Sequence, residues 1–492
     1  MSLTNTHPLY DATLEDQKIM RDTYAGERTV KNADLEYLHA TPGMVADGML
    51  AKQDGRIAYD GYKARAKFPD FVSDAVESLL GLLHQKPPTI ELPAAMEPLR
   101  ESATASGESM HNLLRRINEH QLVQGRLGLL LDMPENPDPA NPLPWVALYT
   151  SLSMRNWDDS DDNVDRNKLV FVTLDESGFK RDANFMWTTD ERYRVLALVD
   201  AKDGNHLITS GGTYMQGLYH GQGVSFDPTL MKPPMIRGKV LEEIPFVFVN
   251  SKDTLSRPDN PPLLGLARDS LSIYRSEADY RQALFMQGQD TLVVIGGTLA
   301  TANGEPTRVG AGAKIDCEMN GDAKYIGVSS TGLPEMRVAL ENDRKAASAR
   351  TGQLIDAMGT KQESGEALKT RLTAQTATLN QIALTGAGAL QRILRIAAKW
   401  MGQNENDVIV IPNLEFASID MSGKDLTELQ TAKTMGAPIA SESIHAIMQQ
   451  RGLTKLTYEE ELDRIADEKP LIDVPPEPDP DADPNANPAG DE

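Results

Sequence analysis

The sequence predicts an α+β chain, mainly helical, and three observations carry that expectation. Long stretches near residues 264–288, 333–354 and 366–401 keep apolar side chains at spacings of three and four, the mark of amphipathic helices. Short β-branched and apolar runs gather between residues 145 and 249, separated by turn residues. Aromatic residues make up only 5% of the 492, which suits helices packed through Leu, Ile, Ala and Met.

Residues 1–95 read as helical. Phe71, Ala75, Val76, Leu79, Leu80 and Leu83 share one helical face, and Gln85-Lys86-Pro87-Pro88 stops that helix. A second amphipathic helix runs from Ser109 to Val123. Leu127 to Leu131 reads as a buried strand, and 134–144, with five prolines, as a loop. Strands follow at 169–174, 193–199 and 244–249.

Leu264, Ala267, Leu271, Tyr274, Ala278 and Phe285 then define a helix over 264–288, roughly 37 Å long. Leu333, Met336, Leu340 and Ala347 define a second over 333–354, roughly 33 Å long, with Arg337–Glu341 and Glu341–Lys345 pairs on its exposed side. Between them lie strand-like pieces at 291–295, 314–319 and 324–328. Two helices of matched length around a small β module predict an antiparallel pair with the module at its tip. Residues 356–365 are polar and read as a loop. A long helix over 366–401 follows, with Gly386-Ala387-Gly388 expected to interrupt or kink it. A strand at 407–411 and a compact helical segment at 423–469 complete the ordered part. The tail, 471–492, holds seven acidic residues, six prolines and no basic residue, a composition that cannot bury enough apolar surface to order itself.

Bulk properties narrow the function. Net charge is −23, opposite to the basic footprint of a protein that grips DNA phosphates. The one cysteine, Cys317, permits no intrachain disulfide and no Cys-based metal cluster, and reads as a small core residue. The N-terminus lacks a signal-peptide pattern, and no apolar run nears the ~20 residues of a membrane span. A phosphate-cradling P-loop is missing, since Gly423-Lys424 has no upstream glycine, and Gly221-Gln222-Gly223 reads as a turn. Neither G-x-S-x-G nor H-E-x-x-H occurs. The eight histidines are scattered, so no metal site is expected. Asp158, Asp159, Asp161, Asp162 and Asp165 form an acidic loop without the glycine and distal glutamate of a calcium loop, and a solvated loop is the simpler reading. No catalytic residue and no cofactor site are expected.

The segments IPFVFVNS (244–251) and PPLLGLARDSLSIYRSEADYRQALFMQGQDTLVV (261–294) resemble the portal proteins, or head-to-tail connectors, of tailed bacteriophages. Supporting pieces are YDGYKARAKFPDF (59–71), LLGLLHQKPP (79–88), QGRLGLLLDMP (124–134) and SGEALKTRL (364–372). The likeness spans about residues 55–415. It implies a portal fold: wing over 1–260 and 366–422, stem helices 261–288 and 333–354, clip 289–332, tunnel loop 355–365 and crown 423–470, with 471–492 a disordered acidic tail. It further implies a homo-oligomeric ring, usually of twelve subunits, at a capsid vertex of the virion, assembled in the bacterial host cytoplasm. Implied partners are the terminase large subunit, a head-completion or tail adaptor, the major capsid protein and scaffold, and double-stranded DNA held without sequence preference; no membrane is involved. Lys361 and Gln362 in the loop, and Arg337, Arg344 and Lys345 on the second stem helix, are the candidates for facing DNA, with intersubunit salt bridges the equal alternative for each, since pairing with Glu341 is available too. Arg268 and Arg275 are the candidates for capsid contact. The competing readings are a monomeric capsid-associated scaffold or adaptor, and an enzyme of DNA packaging, for which only the aspartate loop offers anything.

Overall fold

The computed structural model describes residues 2–134, 143–158, 169–200, 207–221, 225–288, 291–297, 317–326, 332–355, 365–414, 423–438, 440–450 and 454–467. The chain contains both helices and strands and divides into two compact units, Met1–Phe416 and Ala417–Glu492.

The first unit opens with five helices: α1 (Pro8–Ala25), α2 (Glu27–Asn32), α3 (Pro42–Ala46), α4 (Asp54–Arg65) and α5 (Phe71–Leu83). The His7 imidazole caps α1 by accepting the Leu9 N–H at 3.1 Å. Gly26, at φ +86°, takes a left-handed turn that a side chain would strain, and so separates α1 from α2. On α5 the buried face holds Ala75, Val76, Leu79, Leu80 and Leu83, as the spacing predicts, but begins with Val72 in place of the expected Phe71, which is half-buried. β1 (Thr89–Glu91) and α6 (Met110–Val123) follow, the latter capped by Ser109 Oγ accepting the Asn112 N–H.

β2 (Arg126–Asp132) is buried along its whole length. It sits between β3 (Trp145–Thr150) and β11 (Phe246–Asn250), both antiparallel, so that Leu129 lies between Leu148 and Val247. Burial on both faces explains why this strand reads as a continuous apolar run. Arg126 is held in this interior by stacking between Trp157 and Phe248, 4.4 and 4.6 Å from the ring centres. A second antiparallel sheet orders β10 (Thr213–His220), β8 (Arg192–Asp200), β5 (Phe171–Asp175) and β4 (Met154–Trp157), with β9 (Leu207–Ile208) also on β8. Between β5 and β8, the two inner strands, the chain makes a separate hairpin, β6 (Gly178–Arg181) with β7 (Trp187–Asp190). Phe179, Phe185 and Trp187 on it are each about two-thirds or more exposed.

The remaining elements of the unit are α7 (Leu264–Gln287), β12 (Thr291–Gly297), β13 (Cys317–Ile326), α8 (Leu333–Ile355), α9 (Gly365–Met401) and β14 (Ile409–Ile411). β14 pairs with β1, bringing Val410 opposite Ile90. Two expectations are corrected here. The described parts of the strand pieces at 314–319 and 324–328 lie in one strand, β13, which pairs with β12 across an irregularity between Ile295 and Gly297. Gly386-Ala387-Gly388 does not interrupt α9, which is helical for 37 residues. Gly386 is instead where α6 presses on the helix: a Cβ there would lie 2.6 Å from Asn118 Nδ2 and 2.7 Å from Gln121 Oε1. The glycine serves close packing, which is the other common reason for one inside a helix.

Two large apolar cores share α9. One gathers the sheets, α6 and the Ala387–Trp400 half of α9, and the other gathers α5, α7, α8 and the Leu379–Ala383 stretch. A smaller core packs Tyr59, Tyr62 and Phe68 against Leu271, Tyr274 and Ala278 of α7. The second unit contains α10 (Gly423–Thr434), α11 (Ser441–Gln450) and α12 (Tyr458–Asp467).

Candidate functional site

The feature that organises the first unit is the helix pair α7–α8. Its direction follows from two ion pairs: Arg350 Nη1 meets Asp269 Oδ2 at 2.7 Å, and Arg344 Nη2 meets Glu277 Oε2 at 2.9 Å. Rising numbers on one helix meet falling numbers on the other, so the pair is antiparallel. At 24 and 23 residues the helices are matched in length, about 36 Å and about 35 Å. The β12–β13 hairpin connects the C-terminal end of α7 to the N-terminal end of α8.

The two helices differ in how they are held. α7 is gripped along its length by the N-terminal helices. Arg268 Nη2 donates to Asp16 Oδ1 at 2.6 Å, Arg275 Nε to the Tyr37 carbonyl at 2.8 Å, and Tyr62 OH to Asp279 Oδ1 at 2.6 Å. Near its end Arg65 bonds Gln282 and lies 4.0 Å over the Phe285 ring. α8, by contrast, buries only Leu340 and Ala347 among its described side chains. Those two are seven apart, one stripe on one face. Val338 stays 46% exposed, and at the facing end of α7 Leu284, Phe285 and Met286 are also exposed.

Glu277 is the residue that sequence reasoning missed. It is buried to 1% exposure, and it accepts from Arg281 on its own helix and from Arg344 across the pair. A carboxylate on the apolar side of a helix needs such partners, because a lone buried charge is costly. The signal was present: Glu277 falls between Tyr274 and Ala278 on the face that the apolar spacing marks as buried.

A second network fixes the root of α7. Asn250, at the end of β11, donates through Nδ2 to Asp253 Oδ1 at 2.7 Å and to the carbonyls of Leu255 and Arg257. Asp259 Oδ2 accepts from Ser251 Oγ and the Lys252 N–H, both at 3.0 Å. The Asn250 carbonyl accepts from Gln121 Nε2 at 2.8 Å, Gln121 Oε1 accepts from Asn118 Nδ2 at 2.9 Å, and Asn118 Oδ1 meets His84 Nε2 at 3.0 Å. One continuous polar ladder therefore runs from α5 through α6, past Gly386 of α9, to the loop that launches α7. Burial holds the His84 imidazole down to about 4, so it is neutral at ordinary pH.

The sequence-derived candidates fall as follows. Arg337 and Lys345 are exposed on α8, Arg337 with only a long 3.9 Å approach to Glu341. Arg344 has a partner within the chain, the buried Glu277, and closes the helix pair. Arg268 and Arg275 are directed to Asp16 and the Tyr37 carbonyl of this chain's own N-terminal region. Lys361 and Gln362, and the acidic positions Asp159, Asp161, Asp162 and Asp165, lie outside the described residues. Among the described residues no three His, Cys, Asp or Glu side chains are grouped to hold a metal, and no helix is long and apolar enough to cross a membrane.

A cleft of about 680 Å³ beside β2 and β10 is lined by Asp132, Trp145, Arg194, Gln216 and Lys232. Its charged floor is satisfied internally: Arg194 meets Glu176 at 2.6 Å and Asp132 at 3.2 Å, and Tyr149 OH donates to Glu176 at 2.6 Å. Such a closed network locks strands together and leaves little for a ligand.

Comparison with known proteins gives three findings. A family model described as a domain of unknown function (DUF4055) matches residues 262–401, the stretch from the start of α7 to the end of α9. No curated protein matches. Among solved structures the chain is similar to one from the virion of a native gene transfer agent particle, at 13% identity and a TM-score of 0.38, covering 77% of this chain and 89% of the other. It is similar also to chains from the neck of the native particle computed with C12 symmetry (13%, 0.35, 77% and 89%) and of the empty particle computed with C6 symmetry (14%, 0.35, 78% and 90%).

Proposed function

We propose that this protein is the portal, or head-to-tail connector, of a phage-like particle: a ring subunit through which double-stranded DNA enters and leaves the capsid. The observation that carries the reading is the antiparallel α7–α8 pair with its terminal hairpin, in which α8 is covered along a single stripe. A helix so sparsely packed gains its burial from neighbours, and side-by-side copies around an axis supply them. The likeness of 244–251 and 261–294 to portal sequences falls on this pair and on the Asn250 loop that launches it.

In this reading α7 and α8 are the stem, β12–β13 the core of the clip that docks the terminase large subunit and later the tail adaptor, and 355–365 the tunnel loop. Lys361, Gln362, Arg337 and Lys345 make brief contacts with passing DNA, while the acidic balance of the chain keeps the duplex from sticking. Arg344 acts within the stem rather than on DNA. Arg268 and Arg275 reach the capsid shell only if they leave Asp16 and the Tyr37 carbonyl. The protein works by shape and charge, without catalysis or cofactor.

Negative-stain imaging with light scattering of the purified protein tests this. The expected result is a closed annulus with a central hole wide enough for duplex, about 20 Å or more. A monomer at every concentration tried, or a solid particle, overturns the proposal. Lys361→Ala with unchanged packaging and retention of DNA overturns the loop contact alone.

A further inference from the structure

The second unit is strongly acidic. Residues 417–492 carry seventeen acidic and six basic residues, so a unit of 76 residues holds nearly half of the chain's net charge of −23. Within it α12 is amphipathic. Tyr458, Leu462 and Ile465 are four and three apart and share a face, yet Leu462 is 46% and Ile465 60% exposed and the helix has no buried residue. Glu459, Glu460, Glu461, Asp463 and Asp467 surround that stripe, with Arg464 the single cation of the helix.

The helix is held by contacts other than the stripe. Thr457 and Glu460 form a capping box: the Thr457 N–H donates to Glu460 Oε2 at 2.8 Å, and the Glu460 N–H to Thr457 Oγ1 at 3.4 Å. Thr454 Oγ1 donates to Glu461 Oε2 at 2.9 Å, and Gln449 Nε2 on α11 donates to the Leu456 carbonyl at 3.2 Å. Tyr458 rests on His445, with ring centres 5.4 Å apart. Leu462 and Ile465 are thus presented on a scaffold that other contacts support.

We propose that α12 is a docking face for a cationic, amphipathic helical segment of a partner protein. Charge complementarity selects this occupant. A second copy would set five carboxylates and one arginine against the same arrangement, and like charges facing each other are destabilising. Nucleic acid and anionic lipid are repelled by the same field. A helix with apolar residues at three-and-four spacing and lysines at its margins covers Leu462 and Ile465 and pairs with the surrounding carboxylates.

The test uses the full chain and a fluorescent helix-forming peptide of leucines at positions i, i+3, i+4 and i+7 with lysines between. Anisotropy titrations compare it with a scrambled peptide of identical composition and with a version carrying glutamates for the lysines. The expected result is saturable binding of the first peptide, weakened at least about tenfold by scrambling and by the double substitution Leu462→Ser and Ile465→Ser, with no binding of the glutamate version. Far-ultraviolet circular dichroism checks that the variant folds; should it not, the scrambled peptide decides. No binding, or equal binding by ordered and scrambled peptides, means that net charge alone acts and overturns the proposal.

Discussion

Gly386 and Gly388 sit two residues apart in α9 and respond oppositely to the same substitution. Glycine to alanine inside a helix ordinarily stabilises it by about 1 kcal/mol, through backbone entropy. Gly388 is exposed, with nothing within 4 Å of an added Cβ, so Gly388→Ala realises most of that gain. At Gly386 the Cβ would lie 2.6 Å from Asn118 Nδ2 and 2.7 Å from Gln121 Oε1, with Ile117 Cγ2 at 3.3 Å. The two polar atoms are themselves bonded at 2.9 Å, and both residues are buried, at 3% and 0% exposure. Making room separates them or pushes α6 away from α9. A buried polar group stripped of its partner costs about 1–3 kcal/mol. Separating the pair strips two such groups, about 2–6 kcal/mol, so against a helix gain of about 1 kcal/mol Gly386→Ala is expected to destabilise by about 1–5 kcal/mol, leaving the two variants about 2–6 kcal/mol apart. Calorimetric melting of wild type and both variants at one protein concentration is the assay, read as rank order because a chain of two units is not two-state. The expected order is Gly388→Ala, wild type, Gly386→Ala. If Gly386→Ala melts at or above wild type, the close packing of α6 on α9 is refuted.

His84 supplies a pH signature. Its imidazole titrates near 4 in the fold and near 6.5 when unfolded, so between those values the unfolded chain binds more protons. Its contribution is complete above about pH 6.5 and is lost as pH falls through 4; discounted for partial exposure, the loss is about 1–2 kcal/mol. His84→Gln, compared with wild type by urea unfolding at pH 7 and pH 4.5, should flatten that part of the dependence, and an unchanged slope counts against it. Arg344→Ala, which strips one partner from buried Glu277, is expected to cost about 1–3 kcal/mol, whereas Arg337→Ala, solvent-exposed and 3.9 Å from Glu341, should cost less than about 0.5. Equal effects in thermal unfolding would remove Glu277 from its role as clamp. Asn250→Ala deletes the side chain that gathers Asp253, Leu255 and Arg257, and should destabilise by about 2–3 kcal/mol while speeding proteolysis within 251–262. Unaltered cleavage there would show that the loop is held by other contacts.

Much of this architecture is legible in the sequence because it rests on periodicity. The helices expected at 264–288 and 333–354 form at Leu264–Gln287 and Leu333–Ile355, since Leu266, Ala267, Leu271, Tyr274, Leu340 and Ala347 repeat at helical intervals. Strands centred on Leu129, Val172, Val195 and Val247 stand out instead as short apolar and β-branched runs between turn residues. What local pattern could not reveal are relations between distant residues. Gly386 reads as a helix breaker until the side chains that fill the space above it, 265 and more residues earlier, are brought beside it. Arg344 reads as a cation free for DNA or for Glu341, because the deeper Glu277 lies 67 positions away and offers a better-buried partner. Arg268 and Arg275 share a face, as expected, but the same face meets α1 and the Tyr37 carbonyl, which no spacing rule reports. The exposed aromatics of β6 and β7 and the polar ladder from His84 to Asn250 likewise depend on tertiary placement.

The unequal support of the two paired helices has a dynamic consequence. Cooperative opening follows local contact, so amides in α7, pinned by Asp16, Tyr37, Tyr62 and Arg65, should exchange with deuterium only through large-scale opening of the unit. Those in α8, resting on Leu340, Ala347 and two bridging arginines, should exchange through small, frequent fluctuations. The protein thus sets a stiff spine against a more compliant slat, whose motion should be bounded by the Arg344–Glu277 and Arg350–Asp269 bridges.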